Sequence, residues 1–109
     1  MLIELETDDG HLPFDLLGWP ESAADGTTAQ VEKIGTLRLD YWPVRKSLGP
    51  QIVSFSFEFV SGVAAGVVAN WLYNKFSGRV SKLRIDRIDV LVEEGEIRRV
   101  ISERIEVSE

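Results

Sequence analysis

The sequence predicts a small α+β fold: a mostly antiparallel sheet of about four strands, packed by a central apolar helix over 61–76 and a C-terminal helix over 95–106. Three observations carry this. QIVSFSFEF at 51–59 alternates Val53, Phe55, Phe57 and Phe59 with Ser54, Ser56 and Glu58, a period of two with a greasy and a polar face. FVSGVAAGVVANWLYNKF at 59–76 places Val60, Val63, Ala64, Val67, Val68, Trp71, Leu72 and Phe76 at helical spacing. Near the end, Ile97, Val100, Ile101 and Ile105 form another helical stripe, with Glu96, Arg98, Arg99, Ser102 and Glu103 outside it. At 109 residues the chain has room for one domain, 1–109, with a single core.

Taken in order, residues 2–6 alternate as a short strand should. Residues 8–30, DDGHLPFDLLGWPESAADGTTAQ, are rich in glycine, proline and small polar residues and read as a long acidic loop region. A structureless loop of that length is unusual, so it carries either a function or a short helix. Thr36–Trp42 puts Leu37, Leu39 and Tyr41 on one face, and Pro43 ends or edges that strand. RKSLGP at 45–50 reads as the turn that leads into the strand 51–59. For the central helix, Ser61 is a plausible N-cap and Gly78 a C′ residue. The stretch 80–92 is strand-like, but its apolar phase changes near Asp86 or Arg87, which suggests a bulge or bend. A strand hairpin turning at Glu94–Gly95 rivals the C-terminal helix. Helix is preferred because a strand would point Val100 away from Ile97 and Ile101.

With no cysteine, the chain has neither disulfides, nor thiolate zinc sites, nor a cysteine nucleophile. MLIELETDD carries acids where a signal peptide would be basic and apolar, so a cytoplasmic location is expected. The apolar run 59–73 is 15 residues long, short of the roughly 20 that span a bilayer, so no stable membrane span is expected. Insertion of helix 61–76 in some state stands only as a further alternative.

No phosphate loop, dinucleotide fingerprint or serine elbow is present, and no cofactor is expected. His11 with Asp8, Asp9 and Asp15 offers too few nitrogen ligands for a transition-metal site and lacks EF-hand spacing. Arginines 84, 87, 98, 99 and 104 are interleaved with acids, so nucleic-acid binding is not expected. A non-catalytic protein is the expectation.

The net charge is −6, and residues 1–34 hold eight acids against one lysine. An acidic loop bearing tryptophan suits a basic protein partner, because indoles anchor interfaces and carboxylates steer association. The expected partner-binding set is Asp8, Asp9, Asp15, Trp19, Glu21, Asp25 and Trp42. The function so implied is neutralisation of a basic partner, as an immunity protein or antitoxin neutralises a toxin. The alternative is an assembly module that forms a homodimer through the small-residue face of helix 61–76: Gly62, Ala65, Gly66, Ala69 and Tyr73.

Overall fold

A computed structural model describes residues 1–42 and 50–108. Among these residues the chain is α+β, with one six-stranded antiparallel sheet and three helices. The strands are β1 (Leu2–Thr7), β2 (Thr28–Val31), β3 (Gly35–Tyr41), β4 (Gln51–Phe59), β5 (Val80–Ile85) and β6 (Ile88–Val90). The helices are α1 (Leu12–Leu16), α2 (Ala65–Phe76) and α3 (Glu94–Ser108). The sheet order is β2-β3-β4-β1-β5-β6. The turn expected at 45–50 and the stop at Pro43 lie outside the described residues, apart from Pro50.

Period-two alternation builds the core. Ile3 and Leu5 of β1, Leu37 and Leu39 of β3, Val53, Phe55 and Phe57 of β4, and Leu83 and Ile85 of β5 are all buried. α2 contributes Val68, Ala69, Leu72 and Phe76 to the same cluster, α3 contributes Ile97, Val100 and Ile101, and α1 contributes Leu12 and Leu16. The Phe57 and Trp71 rings meet edge-on at 5.6 Å, which fixes α2 against β4. The opposite sheet face is polar. There Ser56 donates a hydrogen bond to Asp40, whose other oxygen accepts from Arg38 at 2.8 Å.

The sheet has six strands rather than about four. β2 lies inside the segment read as loop; its TAQV sequence has no fully buried side chain to mark it. The expected strand 80–92 is a hairpin. Asp86 and Arg87 both take positive φ, 48° and 69°, the signature of a two-residue turn that matches strand twist. That turn, with Ile85 opposite Ile88, accounts for the phase change. A true bulge lies earlier: Glu6 pairs Lys82 while Thr7 pairs Val80, leaving Ser81 as the extra residue.

α2 begins four residues later than the sequence suggests. Gly62 turns the chain at φ 79°, and Ala64, not Ser61, is the N-cap, with no side-chain cap bond. Its buried stripe is also rotated: Val60 and Val67, expected inside, are half exposed, whereas Ala69 is buried. The reason is α3. A Cβ at Gly66 would lie 3.5 Å from Arg98 Nη2, so the small residues of α2 accommodate the neighbouring helix. α3 matches its expectation, with Ile97, Val100 and Ile101 inward.

Candidate functional site

α1 organises the acidic region. Pro13 sits in its first turn, where a missing N–H costs nothing. At its other end Gly18 takes φ 74°, the Trp19 N–H donates to Phe14 O at 2.7 Å, and the Gly18 N–H donates to Asp15 O at 3.2 Å. These paired bonds, with glycine in the left-handed region, are a Schellman stop, and that motif is usually accompanied by a side-chain contact across it. Here the contact is aromatic: Trp19 stacks on Phe14, centroids 6.2 Å apart and planes at 13°. Trp19 is itself held at φ 58°, uncommon for a bulky residue, and is 60% exposed. His11 lies 6.0 Å from the same indole.

Trp42 joins this cluster from β3. Its ring meets Phe14 edge-on at 5.3 Å, its Nε1–H donates to Gln51 Oε1 at 2.7 Å, and its backbone N–H donates to Asp25 Oδ1 at 3.3 Å. The alternation placed Tyr41 inside and Trp42 outside. The structure reverses this, because Leu39 pairs Phe55 while Tyr41 pairs Ser54, so Asp40 is an extra residue. The bulge switches parity, leaving Tyr41 exposed and Trp42 half-buried.

The acids divide into two groups. Asp9 and Asp15 are engaged within the chain. Arg79 donates to Asp9 Oδ2 at 2.7 Å and to Asp15 Oδ2 at 2.6 Å, and Lys75 donates to Asp15 Oδ1 at 2.8 Å. The hydrogen bonds from Lys75 and Arg79 hold the Asp15 carboxyl below the usual carboxylate value, against the opposing effect of burial. For Asp9, burial pushes upward, but the Arg79 side chain and the His11 backbone N–H outweigh it and the net direction is down. Arg79 is correspondingly raised, chiefly by its bond to Asp15. Beneath them the buried Thr7 hydroxyl donates to Arg79 O at 2.6 Å and accepts from the Asp9 N–H at 3.0 Å. Asp8, Glu21 and Asp25, by contrast, are exposed to solvent.

The structure thus gathers Trp19 and Trp42 around Phe14, with Asp25 on the Trp42 backbone, and engages Asp9 and Asp15 in an internal staple. Sequence reasoning missed Phe14, Gln51, Lys75 and Arg79. LPFDLLGW held a usable signal for Phe14, with proline near a helix start and glycine just past its end. The small-residue set is not one open face. Gly62 precedes α2, Gly66 packs against Arg98, Ala69 is buried, and Ala65 and Tyr73 are half-buried.

Set beside protein-family models, curated proteins and solved structures, the chain matches none of them.

An exposed indole face can attract cations, and exposed tryptophans are common interface anchors. On the polar sheet face, Asp40 pairs with Arg38 and accepts a hydrogen bond from the Ser56 hydroxyl. Among the described residues, no three His, Asp or Glu side chains converge as metal ligands would. No described helix is long and apolar enough to cross a membrane.

Proposed function

We propose that this chain is a non-catalytic binding protein that engages a basic protein partner, in the manner of an immunity protein or antitoxin covering a nuclease-like toxin. The observation that carries the reading is Trp19: 60% exposed, locked by the stop of α1 and backed by Phe14. A large indole held rigidly in water needs little further ordering when a partner covers it, which favours affinity. Trp42 and Asp25 extend the patch, and Asp8 and Glu21 add negative potential that would draw in a cationic surface. Asp9 and Asp15 serve by holding α1, and hence Trp19, in place.

The test uses the purified chain immobilised against native lysate, beside two variants. Trp19→Ala removes the anchor, and the triple change Asp8→Asn, Glu21→Gln, Asp25→Asn removes the steering charge while sparing the staple. A cationic protein should be retained by the unaltered chain, released by added salt and lost with Trp19→Ala. With the triple variant its association rate should fall about tenfold at low salt. Retention of the same protein by both variants, with unchanged salt dependence, refutes the proposal.

A further inference from the structure

β2 ends the sheet, and among the described residues no strand lies beyond it. The Leu39 N–H donates to Thr27 O at 2.8 Å. Ladder bonds fall on alternate residues of an antiparallel strand, so Ala29 and Val31, opposite Leu37 and Gly35, are the next to bond β3. The N–H and C=O groups of Thr28 and Gln30 therefore point outward, away from β3. Natural sheet edges are guarded by charge, proline or shortness. At the far edge β6 is three residues long with Asp89 at its middle; TAQV of β2 has neither charge nor proline.

A groove of about 490 Å³ runs along this edge. Residues 28–32 form one wall, and residues of both parities line it, so it opens on the edge of the strand rather than on one face of the sheet. Leu17 and Gly18 at the stop of α1, with Trp71 and Lys75 of α2, form the other wall. Ala29, Val31 and Trp71 are half-buried against the core, and Lys75 is engaged by Asp15. Asp25 and Glu32 flank the strand, both exposed, against Lys33, and Gly18 leads directly into Trp19.

Outward N–H and C=O groups beside a groove call for an extended polypeptide, because a strand meets alternate donors and acceptors at their own spacing. We infer that β2 accepts an extended basic segment of the partner protein as a seventh strand. Its main chain bonds Thr28 and Gln30, and one aliphatic side chain enters the groove between Val31 and Trp71. A stretch matching residues 28–32 is about 17 Å long, and basic residues at its two ends meet Asp25 and Glu32. Strand addition rests on the edge itself; the basic character rests on the proposed basic partner.

Isothermal titration calorimetry at low salt tests it, with the end-capped synthetic peptide KRTVTVTKR and its acidic counterpart EETVTVTEE. The basic peptide should bind about tenfold more tightly or better. Thr28→Pro and Gln30→Pro each delete one outward N–H and leave the ladder to β3 intact, so each should weaken binding about tenfold. Circular dichroism checks that both variants keep their fold. A second measurement leaves the protein unaltered. N-methylation of the peptide's threonines disables one of its edges and N-methylation of its valines the other, so one modified peptide should lose binding and the other keep it. Both keeping it or both losing it overturns strand addition, as do proline variants that bind like the unaltered chain. No binding up to about 1 mM overturns it too, and Trp19-dependent capture of a cationic protein would then leave the basic-partner reading standing. Equal binding of the basic and acidic peptides at this edge overturns the basic character instead, and the charge argument of the partner reading with it.

Discussion

Arg79 binds Asp15 across 64 residues of chain, its Nη1 standing 2.6 Å from Asp15 Oδ2. One guanidinium, at the entrance to β5, therefore clamps α1, and its Nε does the same for Asp9. Removing it leaves Asp9 and Asp15 without their shared cation. Arg79→Met is expected to cost about 2 kcal/mol, the scale of a lost hydrogen bond between charged groups. Urea unfolding at pH 7 measures it, and Trp19 fluorescence should report loosening of α1 before the core opens.

The same staple sets an acid limit. Asp9 and Asp15 both titrate below their ordinary value of 3.8 in the folded chain. A depressed folded value means the stabilisation is complete above the unfolded value and disappears as pH falls through the lowered one. The urea midpoint should therefore hold from pH 7 to about 5 and drop below about 4. In Arg79→Met the acid limb should flatten in part, because Asp9 then loses its cation while Asp15 keeps its hydrogen bond from Lys75. An equally steep limb in that variant would place the acid sensitivity elsewhere.

β4 and α3 were legible in the sequence because their periodicity is local and unambiguous: Val53, Phe55 and Phe57 alternate, and Ile97, Val100 and Ile101 recur on a helical stripe. The inward face of α2 was not. When a helix is apolar all round, spacing cannot tell Val67 from Ala69, and only the approach of α3 decides. The bulge at Asp40 leaves no trace in a strand of seven residues, yet it exchanges the environments of Tyr41 and Trp42. The staple was hidden for a different reason. Asp9 and Asp15 read as a partner surface until the fold brings Arg79 beside them.

Gly35 sits where β3 passes β4. A Cβ there would lie 2.9 Å from Phe59 Cα and nearer still to the Glu58 carbonyl oxygen. Both are backbone atoms of a paired strand and cannot swing aside. Gly35→Ala should force β3 and β4 apart and cost about 3 kcal/mol or more, at the upper end of overpacking effects. Thermal unfolding measures it, and a shift no larger than for Gly10→Ala, where nothing lies within 4 Å, would refute the contact.

α2 starts without a side-chain cap, because the residue at its N-cap is Ala64, with φ −80° and ψ 132°. That backbone conformation already suits a capping serine, whose hydroxyl accepts from an N–H of the first turn. Ala64 is exposed, so the added oxygen meets no steric barrier. Ala64→Ser should raise stability by about 1 kcal/mol. The gain should appear as a higher urea midpoint with an unchanged slope, since the surface exposed on unfolding is nearly the same.

Gly66 separates two effects that a single large substitution would confuse. It lies in the first turn of α2, with a left-handed conformation neither required nor adopted, and a Cβ would stand 3.5 Å from Arg98 Nη2 and 3.6 Å from Arg98 Cζ. That is ordinary contact with the end of a flexible side chain. Gly66→Ala should accordingly stabilise by about 0.5–1 kcal/mol, through helix propensity and a less disordered unfolded chain. Gly66→Leu, by contrast, must displace Arg98 and push on α3, so it should destabilise by about 1–3 kcal/mol. The opposite signs of the two variants identify a close helix–helix approach, because glycine needed only for its backbone freedom would make both unfavourable.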